Sequence, residues 1–120
     1  LRYAPPSGPH AVLEWLGARG GQGTGSALHG SLAIRPAAAF AARLWYAAGS
    51  PGKGAPLYLR PLPLADWPLG GRACFSDFRA LSLSFTLQPC PALELAAGGL
   101  YFRDRYRQET LIRMSVNLRP

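Results

Sequence analysis

The chain has 120 residues, of which 48% are hydrophobic and 16% are charged, and its 13 basic and 6 acidic residues give a formal net charge of +7. This length and composition predict one folded domain over residues 1–120 and exclude a chain kept disordered by charge repulsion. The basic balance leaves nucleic acid and anionic membrane surfaces open as partners. Twelve arginines against the single Lys53, with scarce amides and many prolines, are also compatible with a thermophilic source.

The first third of the chain contains one ambiguous segment, one glycine-rich stretch and one strand. Residues 11–16 could form a strand or one helical turn, with Trp15 as a core anchor. Residues 17–26 (GARGGQGTGS) are predicted to be a loop, and no Gly-Lys-Ser/Thr follows that would make it a phosphate-binding loop. Residues 28–35 alternate as a strand does, and Pro36 is expected to end that strand because proline cannot donate to a ladder.

The middle of the chain predicts a hairpin. Residues 37–49 combine alanines, which favour helix, with the Leu-Trp-Tyr sequence at 44–46, which favours strand. The turn-forming sequence GSPGKGAP follows, and then LYLRPL. We therefore expect residues 43–48 to pair with residues 57–62. Prolines at 61, 63 and 68 predict a loop around Trp67.

The clearest strand pattern lies in the last third. At residues 81–88 the residues Leu81, Leu83, Phe85 and Leu87 alternate with Ser82, Ser84, Thr86 and Gln88. We expect the first set to face a dry core and the second to face water. Residues 111–118 form the last predicted strand, with Ile112, Met114, Val116 and Leu118 on one face. Such one-sided strands predict a mainly antiparallel sheet that needs a cover.

The two cysteines are too few for a structural four-ligand zinc site, and neither histidine lies at ligand spacing from them. Cys74 and Cys90 could form a disulfide that closes a loop of about 15 residues, which would imply an exported protein. Two reduced, buried thiols are the alternative, and the even count favours the bridge.

No catalytic constellation is recognisable, because neither histidine has an obvious partner and the carboxylates Asp104 and Glu109 lie among arginines. We therefore predict no enzyme activity, no cofactor, no metal and no small-molecule substrate.

The window LYFRDRYRQ at residues 100–108 is the best candidate for a contact surface. Its aromatic and arginine side chains could stack on bases and hold phosphates. Against this, Asp104 and Glu109 neutralise part of the charge. On a strand, Arg103, Arg105 and Arg107 would share one face by alternation, so a solvated charged stripe is the simpler interpretation. The candidate subunit or DNA contacts are Tyr101, Arg103, Arg105, Tyr106, Arg107 and Arg113.

Three stretches in order resemble one family. LWYAAGSPGKGAPLYLRPL (44–62) resembles the hairpin of type IV minor pilins and type II secretion pseudopilins, in which a strand carrying a Tyr runs through a turn into a strand that ends Leu-x-Arg. SDFRALSLSFTL (76–87) resembles the strand that follows, and RYRQETLIRMSVNLRP (105–120) is similar to the last strand. The chain departs from the family in lacking the hydrophobic N-terminal helix, and Pro120 stands where many members have Asn.

The resemblance implies an α+β pilin-like fold, present here mainly as antiparallel sheet with the N-terminal helix removed. It implies an inner-membrane-anchored protein with a periplasmic domain, or a subunit of a cell-surface filament. The implied partners are other minor and major pilins or pseudopilins, and possible roles are initiating or capping a type IV pilus, a DNA-uptake (competence) filament or a type II secretion filament. A basic β-sheet module that binds nucleic acid is the alternative, and an adhesive secreted domain is a third.

Overall fold

The computed structural model of the chain describes residues 2–3, 8–20, 23–58 and 73–118. Within these residues the structure contains nine β-strands and no helix. The strands are β1 (Arg2–Tyr3), β2 (His10–Gly20), β3 (Gly23–Ala37), β4 (Phe40–Ser50), β5 (Leu57–Tyr58), β6 (Ala73–Cys74), β7 (Phe78–Cys90), β8 (Leu93–Arg103) and β9 (Gln108–Leu118).

Seven of these strands form one antiparallel sheet in the order β1-β2-β3-β4-β7-β8-β9, and β5 and β6 form a separate two-stranded ribbon. At one end of the sheet, the turn end, two residues join β3 to β4 and two join β7 to β8. At the other end, the loop end, residues 51–77 join β4 to β7 and residues 104–107 join β8 to β9. The ribbon belongs to the longer of these loop-end connections.

The expectation of an α+β pilin-like fold is wrong, because the described part of the chain is all-β. Residues 11–16 lie in β2, and the alanine-rich segment from Phe40 lies in β4, with a strand hydrogen-bonded on each side. The helix preference of alanine is worth less than about 1 kcal/mol per residue, and ladders on both sides outweigh it. The described residues of the predicted loop 17–26 are also strand.

The hairpin predicted between residues 43–48 and 57–62 is also wrong. β4 pairs with β7 over a continuous register from Phe40↔Leu87 to Gly49↔Phe78, whereas Leu57 pairs with Cys74. Residues 59–62 lie outside the described residues. A short turn between 49 and 56 is present, since Ala55 N donates to Gly52 O at 2.9 Å and Gly54 adopts φ +73°. This turn starts the ribbon and does not return the chain onto β4.

The strands predicted at residues 28–35, 81–88 and 111–118 are confirmed as parts of β3, β7 and β9. Pro36 lies within the last residues of β3, where the register with β4 shifts between Ile34 and Ala37.

The register divides the sheet into two faces, because directly opposed residues of antiparallel strands project to the same side and successive residues to opposite sides. One side, named here the apolar face, carries most of the large hydrophobic residues that are exposed. The other, the polar face, carries buried hydrophobic residues near the loop end, such as Trp45, Leu100 and Phe102. Elsewhere it carries small residues and polar ones, among them Glu14, His29, Ser31, Arg43, Ser82, Ser84, Thr86, Gln88, Glu94, Arg113, Ser115 and Asn117.

The hydrophobic core lies on the polar face, at the loop end. There the ribbon contributes Leu57 and Cys74 to a cluster with residues from β3, β4, β7 and β8. The cluster comprises Ala27, Trp45, Ala47, Leu57, Cys74, Phe78, Ala80, Leu100 and Phe102. Glycines allow two close contacts beside this cluster: Gly25 with the 51–58 segment, and Gly49 with the ring of Phe78. A Cβ on Gly25 would lie 2.6 Å from Gly52 N, and one on Gly49 would lie 2.7 Å from the Phe78 ring.

Candidate functional site

The apolar face is the most unusual surface of the structure. Eighteen large hydrophobic residues are exposed among the described residues, and fourteen of them lie on this face. They are Leu13, Trp15, Leu32, Ile34, Leu44, Tyr46, Leu81, Leu83, Phe85, Leu87, Ile112, Met114, Val116 and Leu118. Scattered exposed hydrophobic residues are ordinary in proteins, but a contiguous face of this kind marks an interaction surface.

The prediction that Leu81, Leu83, Phe85 and Leu87 face a dry core is therefore wrong for this chain alone. These side chains are 41–43% exposed, whereas Ser82 on the polar face is 4% exposed. Small residues on the polar face let the ribbon pack closely against it, and among the described elements none packs over the apolar face.

The apolar face is organised in rows of directly opposed residues that run across the strands. From the turn end, row 1 contains Cys90, Leu93 and Leu118, and row 2 contains Ala37, Phe40, Leu87, Leu95 and Val116. Row 3 contains Ile34, Ala42, Phe85, Ala97 and Met114. Row 4 contains Ala11, Leu32, Leu44, Leu83, Gly99 and Ile112, and row 5 contains Leu13, Gly30, Tyr46, Leu81, Tyr101 and Thr110. Where the structure describes them, these five rows hold no charged residue.

The size of this apolar band follows from strand geometry. Neighbouring rows are two residues apart, so rows 1–5 extend over about 27 Å along the strands. Six strands at about 4.8 Å spacing make the face about 24 Å wide. Because fewer strands reach rows 1–3, the area is roughly 500 Å², which is in the upper part of the range of about 300–600 Å² for the largest apolar patch of a typical soluble monomer.

Two contacts show how the band is packed. Phe40 on β4 and Phe85 on β7 stack with ring centroids 6.2 Å apart and an interplanar angle of 28°. Near β2, Gly30 has no side chain, and Leu13, Leu32, Leu44 and Tyr46 line a shallow groove of about 310 Å³ beside it.

The composition of the apolar face changes at row 6, next to the loop end. This row contains Trp15, Leu28, Ala48, Arg79, Arg103 and Gln108. Trp15 is 70% exposed, and Arg79 lies directly opposite Arg103. Tyr46 and Tyr101 lie in the adjoining row 5. Aromatic and basic side chains thus border the apolar band at this end.

The structure separates the contact residues predicted from the sequence into three places. Tyr101 and Arg103 lie at the end of β8 on the apolar face, whereas Arg113 opposes Gly98 on the polar face. Arg105, Tyr106 and Arg107 lie in the 104–107 connection, so they do not form the strand stripe that alternation suggested.

The carboxylates of Asp104 and Glu109 interact with groups of the 104–107 connection. Asp104 Oδ1 accepts hydrogen bonds from the backbone N–H groups of Tyr106 at 2.8 Å and Arg107 at 2.7 Å. The Arg107 side chain lies 2.9 Å from a Glu109 carboxylate oxygen. The Arg105 guanidinium lies 5.7 Å from the centre of the exposed Tyr106 ring.

Cys74 and Cys90 are thiols that lie far apart. Cys74 is buried in the core cluster beside Phe78, where β7 begins, and Cys90 is exposed where β7 ends. Twelve residues of strand separate those ends, or about 40 Å. A disulfide needs Cα atoms within about 7 Å, so the predicted bridge does not form in this structure.

The remaining chemistry of the described residues is sparse. They contain no group of three His, Cys, Asp or Glu side chains that could hold a metal ion. The buried His29 packs edge-on against Trp45, with ring centroids 6.0 Å apart. A long apolar helix able to cross a bilayer is also absent from this part of the chain.

Sequence reasoning missed one member of the basic border, Arg79. Arg79 lies two and four residues before Leu81 and Leu83, so continuing the alternation toward the N-terminus places it on the same face.

No known protein family, curated protein or solved structure matches this chain.

Proposed function

We propose that this chain is a membrane-embedded β-sheet whose apolar face lies against the acyl chains of a lipid bilayer. The observation that carries the proposal is the uncharged band of rows 1–5. On β8 and β9, which reach row 1, the band is about 27 Å long; at the 35–45° strand tilt of membrane-spanning sheets this length reaches about 20 Å of their roughly 25 Å apolar height.

The border at the loop end supports the same proposal. Tryptophan and tyrosine concentrate where hydrocarbon meets headgroups, and arginine is attracted to anionic headgroups. Trp15, Tyr46 and Tyr101 occupy rows 5 and 6, and Arg79 and Arg103 occupy row 6. Along β8 the order from apolar residues through Tyr101 to Arg103 follows the order of a bilayer from its interior to its surface.

The polar face supports it in a complementary way. Alternation of apolar and polar residues along nearly every long strand gives a sheet with one face suited to lipid and the other to water or protein. On the polar face, the Gln88 amide donates to Glu94 at 3.0 Å, and the Asn117 amide donates to the same carboxylate at 3.3 Å. Such side chains belong in an environment with water.

The filament-subunit function implied by the pilin resemblance places a helix against the apolar face instead. A helix with its side chains is about 10–12 Å across, and the face is about 24 Å wide. One helix would leave about half of the band uncovered, so this function is less well supported than contact with lipid.

The nucleic-acid alternative has less support still. Among the candidate contacts, Arg107 is engaged by Glu109, and Arg113 lies on the opposite face from Arg103. A surface for nucleic acid would need these cations on one side. A DNA affinity that falls steeply with salt would restore this alternative.

The proposal carries a structural requirement at the sheet edges. In hydrocarbon every backbone N–H and C=O must be hydrogen-bonded within protein. Among the described residues, β9 has a partner on one side only, and β1 covers only Val12 and Ala11 of β2. Further strands, from whatever source, must therefore pair with both edges in the membrane.

Quenching of tryptophan by brominated lipid chains tests the proposal. The full chain is reconstituted into phosphatidylcholine vesicles with brominated acyl chains, with Trp67, which lies outside the described residues, replaced by phenylalanine. Trp45→Phe then leaves Trp15 on the apolar face, and Trp15→Phe leaves the buried Trp45. We expect strong quenching of Trp15 and weak quenching of Trp45. Equal quenching, or none in either variant, would overturn the proposal.

A further inference from the structure

Two arginines face each other across β7 and β8 in row 6. Arg79 and Arg103 are directly opposed, on the apolar face, and both are exposed. Opposed residues of antiparallel strands have Cβ atoms about 4.5–5.5 Å apart, and like charges in such pairs are destabilising. The arrangement therefore favours a nearby anion.

The described residues do not supply one for both guanidinium groups. Asp77 lies just before β7, two residues before Arg79; its Oδ1 accepts a hydrogen bond from Ser50 Oγ at 2.6 Å, and it forms no ion pair with Arg79 in the described structure. Glu109 opposes Phe102 on the polar face and pairs with Arg107. Asp104 caps the 104–107 connection through the backbone. No ion pair joins Arg79 or Arg103 to a carboxylate in the part of the chain that the structure describes.

The neighbours of the pair add hydrogen-bonding capacity and fix its depth. Gln108 opposes Arg103 on β9, so the side chains of Arg79, Arg103 and Gln108 follow one another across three strands. Two guanidinium groups and one amide offer donors suited to the oxygens of a phosphate. Row 6 lies immediately beyond the uncharged band, and Tyr101 lies in row 5, the last row of that band.

We propose that Arg79, Arg103 and Gln108 bind the phosphate of an anionic lipid headgroup. The inference rests on the proposed function, because only a face in contact with lipid brings headgroups to this row. A phosphate between the two arginines converts their repulsion into two attractions, and each guanidinium can donate two parallel hydrogen bonds to it. The lipid's acyl chains then lie along rows 1–5.

The position of the pair favours a lipid phosphate over a free one. A free phosphate would gain only the charged contacts of an exposed row, which salt screens strongly. A lipid phosphate is already held at this depth by its acyl chains. It therefore gains the same contacts and loses less translational entropy than a phosphate that binds from bulk solution.

Electron paramagnetic resonance of spin-labelled lipids tests the inference. The full chain is reconstituted into phosphatidylcholine vesicles that contain spin-labelled phosphatidylglycerol or spin-labelled phosphatidylcholine, and the motionally restricted fraction of each gives their relative affinity. We expect phosphatidylglycerol to be preferred. In Arg79→Gln/Arg103→Gln the preference should fall by about fivefold for each arginine. Arg105→Gln/Arg107→Gln removes the same charge from the adjacent connection and should keep most of the preference.

Two further measurements separate the possible failures. Inorganic phosphate at 10 mM should leave the preference largely intact, whereas full displacement would show a site for free phosphate and overturn the lipid assignment. The same vesicles with brominated chains report on Trp15. If Trp15 is quenched but the Arg79→Gln/Arg103→Gln variant keeps the preference, only the headgroup site is wrong; if Trp15 is not quenched, the proposed function itself fails.

Discussion

On β7 the polar Ser82 is buried and its apolar neighbour Leu83 is exposed, with 4% and 42% of their surfaces accessible to water. This is the reverse of the arrangement in a water-soluble one-sided sheet. Ser82 lies under the core cluster on the polar face, and Leu83 lies in the middle of the uncharged band. The membrane proposal follows from this inversion, repeated along neighbouring strands.

Arginine substitutions on the two faces of β7 should have very different costs in a bilayer. Leu83→Arg places a charge within the apolar band, and we expect it to destabilise the membrane-embedded state by about 2–4 kcal/mol. Thr86→Arg, on the polar face of the same strand, should cost less than about 1 kcal/mol. Equilibrium unfolding from vesicles measures both. Similar costs for the two variants would argue against lipid at the apolar face.

The stacked rings of Phe40 and Phe85 should be energetically coupled. Their offset arrangement joins β4 to β7 near the turn end, and such pairs contribute about 0.5–1.5 kcal/mol beyond burial. A double-mutant cycle with Phe40→Ala and Phe85→Ala should show this coupling energy in unfolding measurements. A parallel cycle of Phe40→Ala with Ile112→Ala, two strands beyond β7, should give a value near zero.

The close approach of the 51–58 segment to the sheet should depend on Gly25. A methyl group there would lie 2.6 Å from a backbone nitrogen, which cannot rotate away. We therefore expect Gly25→Ala to lower the free energy of unfolding by roughly 1–3 kcal/mol. Gly99→Ala is the matched control, since nothing lies within 4 Å of a Cβ at that position. Thermal unfolding that is unchanged in Gly25→Ala would contradict the placement of the 51–58 segment.

The two thiols should differ sharply in reactivity. Cys90 is exposed and Cys74 is buried in the core. In the native protein we expect a maleimide to add one label, at Cys90, and unfolding to allow a second. Mass spectrometry counts the labels. Finding no label after unfolding without reductant would instead reveal the disulfide that the sequence predicted.

The sequence predicts individual strands well because period-two alternation is a local property. Residues 81–88 and 111–118 are strands as expected. The pairing of β7 with β4 is not local. The turn after Gly49 suggested that β4 would pair with the segment starting at Leu57, but the ten-residue match between β4 and β7 prevails across the intervening residues. Alternation also cannot say which face is covered, because that depends on where the ribbon packs.

The candidate site was only partly predictable for the same reason. Tyr101 and Arg103 stand out within one aromatic and basic window. Arg79 and Gln108 join Arg103 only through the register of β7, β8 and β9, which no short window contains. The cluster at residues 105–107 drew attention by sequence proximity, although the structure places it in the loop-end connection.

Spin-label scanning of residues 81–88 tests the central claim most directly. Single cysteines are introduced along β7 with Cys90 replaced by serine, and the buried Cys74 is left in place. In vesicles, each label's collision rates with membrane-soluble oxygen and with a water-soluble nickel complex are then compared. The account predicts high oxygen and low nickel accessibility at positions 81, 83, 85 and 87, and no such preference at 82, 84, 86 and 88. High nickel accessibility at the odd positions would show water on the apolar face and contradict it.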